Sequence, residues 1–373
     1  MDLSEQEVMA LLHSATRGND TPLRNALTHF GSISSLLKAS DSAWDSCRCL
    51  SKEWRSTFSE VLKRARSGFI RPKEHQTLGL LRDLGVSVIT PTDVEYPNLL
   101  HHIADPPPVL YRRGTWQDLN TPQVAMVGAR KASPQASTLA QTYASQLAAN
   151  GLVITSGMAI GIDAFAHKGA LESGHTIAVL GCGIDKIYPQ RHRWLANQII
   201  RQGCLLSDHP IGTEPAVYNF PKRNRLVSGL SRLVIVVEAA RRSGSLVTAG
   251  HALDQNKELL AFPWSALHQQ GLGCLDLIAD GAGVVRDVQD VWLALAKAGL
   301  GAECQGMPQN QTTLPDTLSP DCWRLLRLMG DTPVSSVDLA IRSCKPITWV
   351  QERLLELELA NCVAVAGIGY IRL

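Results

Sequence analysis

Between Thr121 and Val285, six short apolar runs alternate with stretches of helical period, and few folds accommodate that alternation. The runs are Val124–Val127, Leu152–Thr155, Ile177–Leu180, Cys204–Ser207, Leu233–Val237 and Leu259–Phe262. They are apolar at consecutive positions, the mark of strands buried on both faces. After the first run, Leu139, Tyr143 and Leu147 share one helical face, and Asn150-Gly151 supplies a stop. The pattern predicts a doubly wound, mainly parallel α/β sheet covered by helices on both sides. Ligands of such sheets sit beyond the carboxyl ends of the strands, near the switch in strand order.

The flanks read differently. Residues 1–75 carry helix-spaced apolar positions: Val8, Leu11, Leu12; Leu23, Leu27, Phe30; Ile33, Leu36, Leu37. Phe30-Gly31-Ser32 is a helix stop followed by a new N-cap, as in a helix-hairpin-helix or SAM-like unit. Such a unit either holds a DNA backbone or serves as a plain packing or dimerisation module. From Leu78 to Gly114 the prolines Pro91, Pro97, Pro106, Pro107 and Pro108 predict an extended strap with short strands such as Val86–Ile89. The strap and the α/β sheet together make one domain over 76–300. Residues 301–317, rich in Gln, Asn, Thr and Pro, read as a linker. The remainder, 318–373, fits a winged helix. Helices are expected near 320–329, 334–341 and 347–360, and strands at Val363–Val365 and Tyr370–Arg372 turned by Gly367-Ile368-Gly369. The third helix sets Glu352, Glu356 and Glu358 against Arg353, a charge balance that suits partner docking better than reading a DNA groove.

A chain of 373 residues fits two or three domains, and its net charge of +2 leaves any nucleic-acid affinity to focused basic loops. The nine cysteines are odd in number, scattered and without a CxxC pair, so neither a zinc site nor a disulfide framework is indicated. Reduced thiols, the acidic start Met1-Asp2-Leu3-Ser4-Glu5 and the lack of a membrane-length apolar run together predict a cytoplasmic protein without a membrane anchor.

The loops after the strands carry the chemistry. Gly128-Ala129-Arg130-Lys131 lacks the three glycines of a dinucleotide fingerprint, and is either a structural turn or a single-phosphate contact. Ser156-Gly157-Met158-Ala159-Ile160-Gly161-Ile162-Asp163 enters a helix, with Asp163 placed as a cap and Ser156 as a hydrogen-bond donor. After the third run, Lys186 could meet a phosphate, and Tyr188 either stacks on a base or packs. The richest stretch is Asn219-Phe220-Pro221-Lys222-Arg223-Asn224-Arg225, an aromatic beside three cations, the mixture that holds single strands. Arg242-Ser243-Gly244-Ser245 then opens an apolar helix whose free N–H groups suit an anion. Glu238 could act as a base but has no recognisable partner. No Ser-His-Asp order, paired-carboxylate site or metal cluster stands out, so the sequence points to ligand holding rather than catalysis, with no cofactor.

These pieces resemble the DNA-processing protein A family (DprA, also called Smf). The resemblance rests on Tyr96-Pro97 with Asp105–Tyr111, Val127–Arg130, Ser156–Ala159 with Gly161–Asp163, and Ala166-His167 with Ala170-Leu171. It continues through Ala178–Gly181 with Tyr188-Pro189, Asn219–Pro221 with Arg223–Arg225, Val237–Ala239 and Ser243–Ala249. It implies a Rossmann-like protein that binds and protects single-stranded DNA without cutting it. It also implies a homodimer formed through that domain, and loading of the RecA recombinase onto incoming DNA during natural transformation. Carried over by position, Arg130, Ser156, Gly157, Lys222, Arg223, Asn224, Arg225, Ser243, Gly244 and Ser245 would contact DNA. Gly128, Lys131, Phe220 and Arg242 join them from the loop reading. The chain departs from the family pattern at Ala129, Ile160, Asp208, Trp264 and Gly273–Asp276. The alternative is an enzyme. The sheet and its loops also resemble the LOG or lysine-decarboxylase-like proteins that hydrolyse nucleoside monophosphates. Those carry Pro-Gly-Gly-x-Gly-Thr where this chain has Arg242-Ser243-Gly244-Ser245.

Overall fold

Six of the strands in the structure, a computed structural model, grow from the apolar runs: β3 (Gln123–Val127), β4 (Val153–Ser156), β5 (Thr176–Val179), β6 (Cys204–Ser207), β7 (Leu233–Val236) and β8 (Glu258–Ala261). Two from the proline-rich strap precede them, β1 (Ser87–Ile89) and β2 (Leu110–Gly114), and β9 (Gly283–Val284) closes the far edge. They form one nine-stranded sheet in the order β1-β2-β6-β5-β4-β3-β7-β8-β9. Every pair from β6 to β9 is parallel, whereas β1 and β2 add antiparallel at one edge. Residues 3–300, 319–329, 334–360, 362–366 and 369–372 are described, so the expected linker at 301–317 and the Gly367-Ile368 turn lie outside the described residues. The chain divides into two units, Met1–Gly306 and Met307–Leu373.

The pleat explains the two-sided burial. Val124 and Met126 point to one face of β3 and Ala125 and Val127 to the other, each set feeding its own core. The first face is covered by α7 (Pro134–Ala149), α8 (Ile162–Ser173) and α13 (Val288–Leu295); the second by α10 (Asn219–Leu230), α11 (Ser245–Asp254) and α12 (Leu272–Ala279). α7 begins at a Ser133 cap and presents Ala136, Ala140, Ala144, Leu147 and Ala148 inward, so small side chains let it lie close to α8. The remaining helix of the sheet, α9 (Arg193–Gln202), buries Leu195, Ala196 and Ile199 against a third core.

That third core is shared with the N-terminal helices α1 (Glu5–Ala15), α2 (Thr21–Phe30), α3 (Ile33–Lys38), α4 (Asp41–Ser46), α5 (Lys52–Ser67) and α6 (Pro72–Asp83). Gly31, at φ 72°, ends α2, and the Ser32 hydroxyl accepts the Ser35 N–H to start α3. One expectation needs correction: the strap does not become extended at Leu78. Pro72 occupies the first turn of α6, Glu74 caps it, and Leu78 and Leu81 bury their side chains, so helix persists to Asp83. In the second unit, α14 (Pro320–Leu328), α15 (Ser336–Ser343) and α16 (Ile347–Leu359) precede a hairpin of β10 (Val363–Ala366) and β11 (Gly369–Arg372). Its core gathers Leu325, Leu326, Leu339, Val350, Leu354 and Leu357. Arg353 pairs with Glu356, which also accepts from the Cys322 thiol at 3.0 Å, so the acidic face of α16 is partly neutralised.

Candidate functional site

β3 lies between β4 and β7, and the chain winds outward from it in both directions, which makes the β3/β7 edge the switch point of the sheet. A cleft of about 580 Å³ opens there, built from the loops after β3, β4 and β7 and from the first turns of α10. Gly128, Arg130, Lys131, Gly157, Phe220, Arg223, Asn224, Arg242, Ser243, Gly244 and Ser245 all line it. Of the residues expected to act together, Ser156, Lys222 and Arg225 do not reach it.

The reason is helical geometry. The basic run is not a loop but the opening of α10, so successive side chains turn by about 100°. Phe220, Arg223, Asn224 and Val227 share the face toward the cleft. Lys222 and Arg225 point away from it. Lys222 Nζ donates to Asp20 Oδ2 at 3.2 Å and to the Gly18 carbonyl at 3.3 Å, both in the N-terminal helical layer. Arg225 is buried on Asp208, 2.6 Å from its Oδ2, with Asp105 at 3.4 Å. The departure at Asp208 therefore falls in an internal ion pair. Ser156 is fully buried, and its hydroxyl donates to the Met126 carbonyl at 2.6 Å.

Arg223 lies in the floor rather than on the rim. It is 4% exposed and donates to the Gly157 carbonyl at 2.6 Å and to the Val179 carbonyl, clasping the ends of β4 and β5. Asp163 beneath it accepts the Gly157 and Ala159 N–H groups at 3.1 and 3.2 Å. Burial pushes the Asp163 carboxyl up, while Arg223 and those N–H groups pull against the rise. Gly157 has no room for a side chain, because a Cβ there would stand 2.6 Å from the Arg223 guanidinium. Gly161, at φ 82°, turns the chain into α8 where a Cβ would strike the carbonyls of Ala129 and Arg130.

What faces solvent is cationic and aromatic. Arg130, Lys131 and Arg242 are exposed on the cleft wall. The Arg130 guanidinium lies 6.0 Å from the centre of the Phe220 ring, and Phe220 meets Tyr188 at 5.4 Å between centroids. Tyr188 is 48% exposed and also lines the cleft. Lys186, on the same loop, is paired with Glu214 at 3.0 Å. At the other wall Gly244 stands at the N-cap of α11, and the Ser243 and Ser245 hydroxyls lie 2.6 Å apart at its mouth.

Two things escaped the sequence. Gln270 reaches the cleft from the loop before α12, a long-range placement with no local signal. Glu238 has partners after all: its carboxylate accepts the Ser133 N–H at 2.9 Å and meets His268 Nε2 at 2.7 Å. Trp264 stacks on His268 at 4.6 Å and donates its indole N–H to the Val237 carbonyl at 2.8 Å, so this departure props the rim from behind. The isolated His167 is structural. It is fully buried, 2.7 Å from the Thr176 hydroxyl, and burial lowers its pKa to about 3.

Residues 87–296 match the family model described as DNA recombination-mediator protein A, and residues 309–367 match that of the DprA winged helix domain. The chain is 41% identical over 292 residues to Protein Smf of Escherichia coli (strain K12), covering 76% of this chain and 77% of that one. It is 35% identical over 223 residues to the DNA processing protein DprA of Bacillus subtilis (strain 168), covering 59% and 75%. The X-ray structure of DNA processing protein A from Streptococcus pneumoniae superposes with a TM-score of 0.65 at 32% identity, covering 79% of this chain and 98% of that one. A structure of DNA processing protein A from Helicobacter pylori, described as giving insight into its unique single-stranded DNA binding mode, has a TM-score of 0.51 at 33% identity, covering 56% and 96%.

Proposed function

The chain belongs to the DNA recombination-mediator protein A family, and from that premise we propose that it binds single-stranded DNA in the switch-point cleft without cutting it. The observation that carries this reading is the make-up of the cleft wall. Three exposed cations stand beside a Phe220–Tyr188 aromatic pair and a helix N-terminus. Phosphates pair with the cations, and bases, whatever their identity, stack on the rings. The similarity to a protein described with a single-stranded DNA binding mode supports the same reading. The expected contact set narrows to Gly128, Arg130, Lys131, Gly157, Phe220, Asn224, Arg242, Ser243, Gly244 and Ser245. Ser156, Lys222, Arg223 and Arg225 hold the cleft in shape.

Hand-over of the strand to the RecA recombinase and pairing of two copies through the sheet-bearing unit are proposed with it on the strength of the family resemblance, and a cytoplasmic setting on the cysteine usage. Among the described residues no helix is long and apolar enough to cross a membrane. The nucleotide-hydrolysing alternative has no observation of its own. Asp163, which lines the cleft, and Glu238, after β7, are both engaged by protein donors.

Competition between single-stranded and duplex oligonucleotides for the purified chain tests the binding. Equal affinity for both would overturn it. Strand exchange with RecA and single-strand-binding protein, with and without the chain, tests the hand-over. Release of adenine from AMP would instead revive the enzyme.

A further inference from the structure

Outside the cleft, the N-terminal helices bring His29 together with two cysteines some twenty residues further along the chain. His29 stands in the last turn of α2, Cys47 closes the C-terminus of α4, and Cys49 lies in the turn before α5. One ligand atom from each falls within 4.8 Å of the others, and among the described residues this is the one such group of histidine, cysteine or carboxylate ligands. The arrangement is tied in place by backbone. Asn25 precedes His29 by one helical turn, its side-chain amide donates to the Cys49 carbonyl at 3.5 Å, and the Cys49 thiol points to the Asn25 carbonyl at 3.6 Å. The imidazole of His29 and the thiol of Cys49 therefore share one face of α2.

We propose that His29, Cys47 and Cys49 form a binding site for a thiophilic divalent cation of the zinc class, with a fourth position open to solvent or a further ligand. The two sulfur atoms lie 3.2 Å apart. That is well beyond a disulfide bond of about 2.05 Å. Two thiolates on one tetrahedral zinc ion stand roughly 3.7 Å apart, given zinc–sulfur bonds of about 2.3 Å. Small side-chain rotations therefore bring all three atoms into the first coordination sphere. Charge agrees as well. Two thiolates and a neutral imidazole around a divalent ion sum to zero, which suits a site with Cys47 fully buried and His29 and Cys49 at the surface. On binding, the sulfur lone pairs go to the cation and the two thiol protons to solvent, with no change of oxidation state. A cation here would pin α2 to the α4–α5 turn.

The test uses the full chain, reduced with a phosphine, stripped of metal and titrated with zinc and with cobalt(II). One equivalent of retained zinc is expected, together with a sulfur-to-cobalt charge-transfer band and tetrahedral cobalt absorption. H29A and C49S change exposed residues and should weaken retention at least about a hundredfold. C344S, at an exposed cysteine of the other unit, should not. Zinc should raise the melting temperature of the parent and of C344S, but not of H29A or C49S. The proposal falls if no equivalent is retained, if retention survives both H29A and C49S, or if the isolated protein is about 2 Da light with Cys47 cross-linked to Cys49.

Discussion

Two arginines in the same cleft illustrate how burial divides labour among like residues. Arg130 is exposed with its guanidinium 6.0 Å from the centre of the Phe220 ring, whereas Arg223 is buried beneath the strand ends and bonded to two carbonyls. R130A should leave the melting temperature unchanged, weaken binding to all oligonucleotide sequences alike and reduce the salt slope by about 0.7, as filter binding over a range of salt would show. R223A should behave oppositely at first sight. It leaves Asp163 without its buried counter-charge and the carbonyls of Gly157 and Val179 without donors, a loss of about 3 kcal/mol readable by chemical denaturation. Its loss of DNA binding would then follow from a damaged floor. Tyr188, half exposed at the cleft, should act through stacking alone. Y188A is expected to lower affinity by about 1–2 kcal/mol with little change in stability.

At the scale of elements, α10 joins the cleft to the N-terminal helices. One face carries Phe220, Arg223 and Asn224 into the cleft, and the other sends Lys222 to Asp20. Burial by itself would raise the Asp20 carboxyl. Its hydrogen bond from His13 and its attraction to His13 and Lys222 outweigh that and hold it at about 2. A carboxyl held below its unfolded value stabilises the fold above that value, and the contribution disappears as protons bind. Stability from this contact should therefore be complete above about pH 5 and lost between roughly pH 4 and pH 2. In D20N the acid limb of a thermal-denaturation profile should flatten over that window, and a profile identical to the parent's would show that the latch contributes nothing. The turn from β4 into α8 is equally demanding. G161A forces a Cβ onto the Ala129 and Arg130 carbonyls at a positive φ, and should cost at least about 2 kcal/mol.

For the whole molecule, a net charge of +2 supplies little overall field, so under the proposed function attraction for DNA would come from the cleft. With three exposed cations on its wall, binding should fall with salt at a log–log slope of roughly −2, from about 0.7 per phosphate on a single strand. A much steeper slope would place further phosphate contacts elsewhere on the surface. The sheet and its helices were legible in the sequence, because a strand buried on both faces must be apolar at every position and a helix must repeat every three to four residues. That Gly128, Gly157, Phe220 and the 242–245 turn would gather at one end of the sheet was legible too, because each sits in a segment that follows a strand. The partition of the basic run was not. Lys222, Arg223 and Arg225 are neighbours in sequence, but the rotation of α10 sends one to Asp20, one under the strand ends and one to Asp208. Which acceptors wait at those places, like the meeting of Glu238 with His268 or of His29 with Cys47 and Cys49, is decided by segments distant in the chain. Periodicity is local and can be read from the residues alone; the pairing of charges and ligands depends on what the folded chain brings alongside.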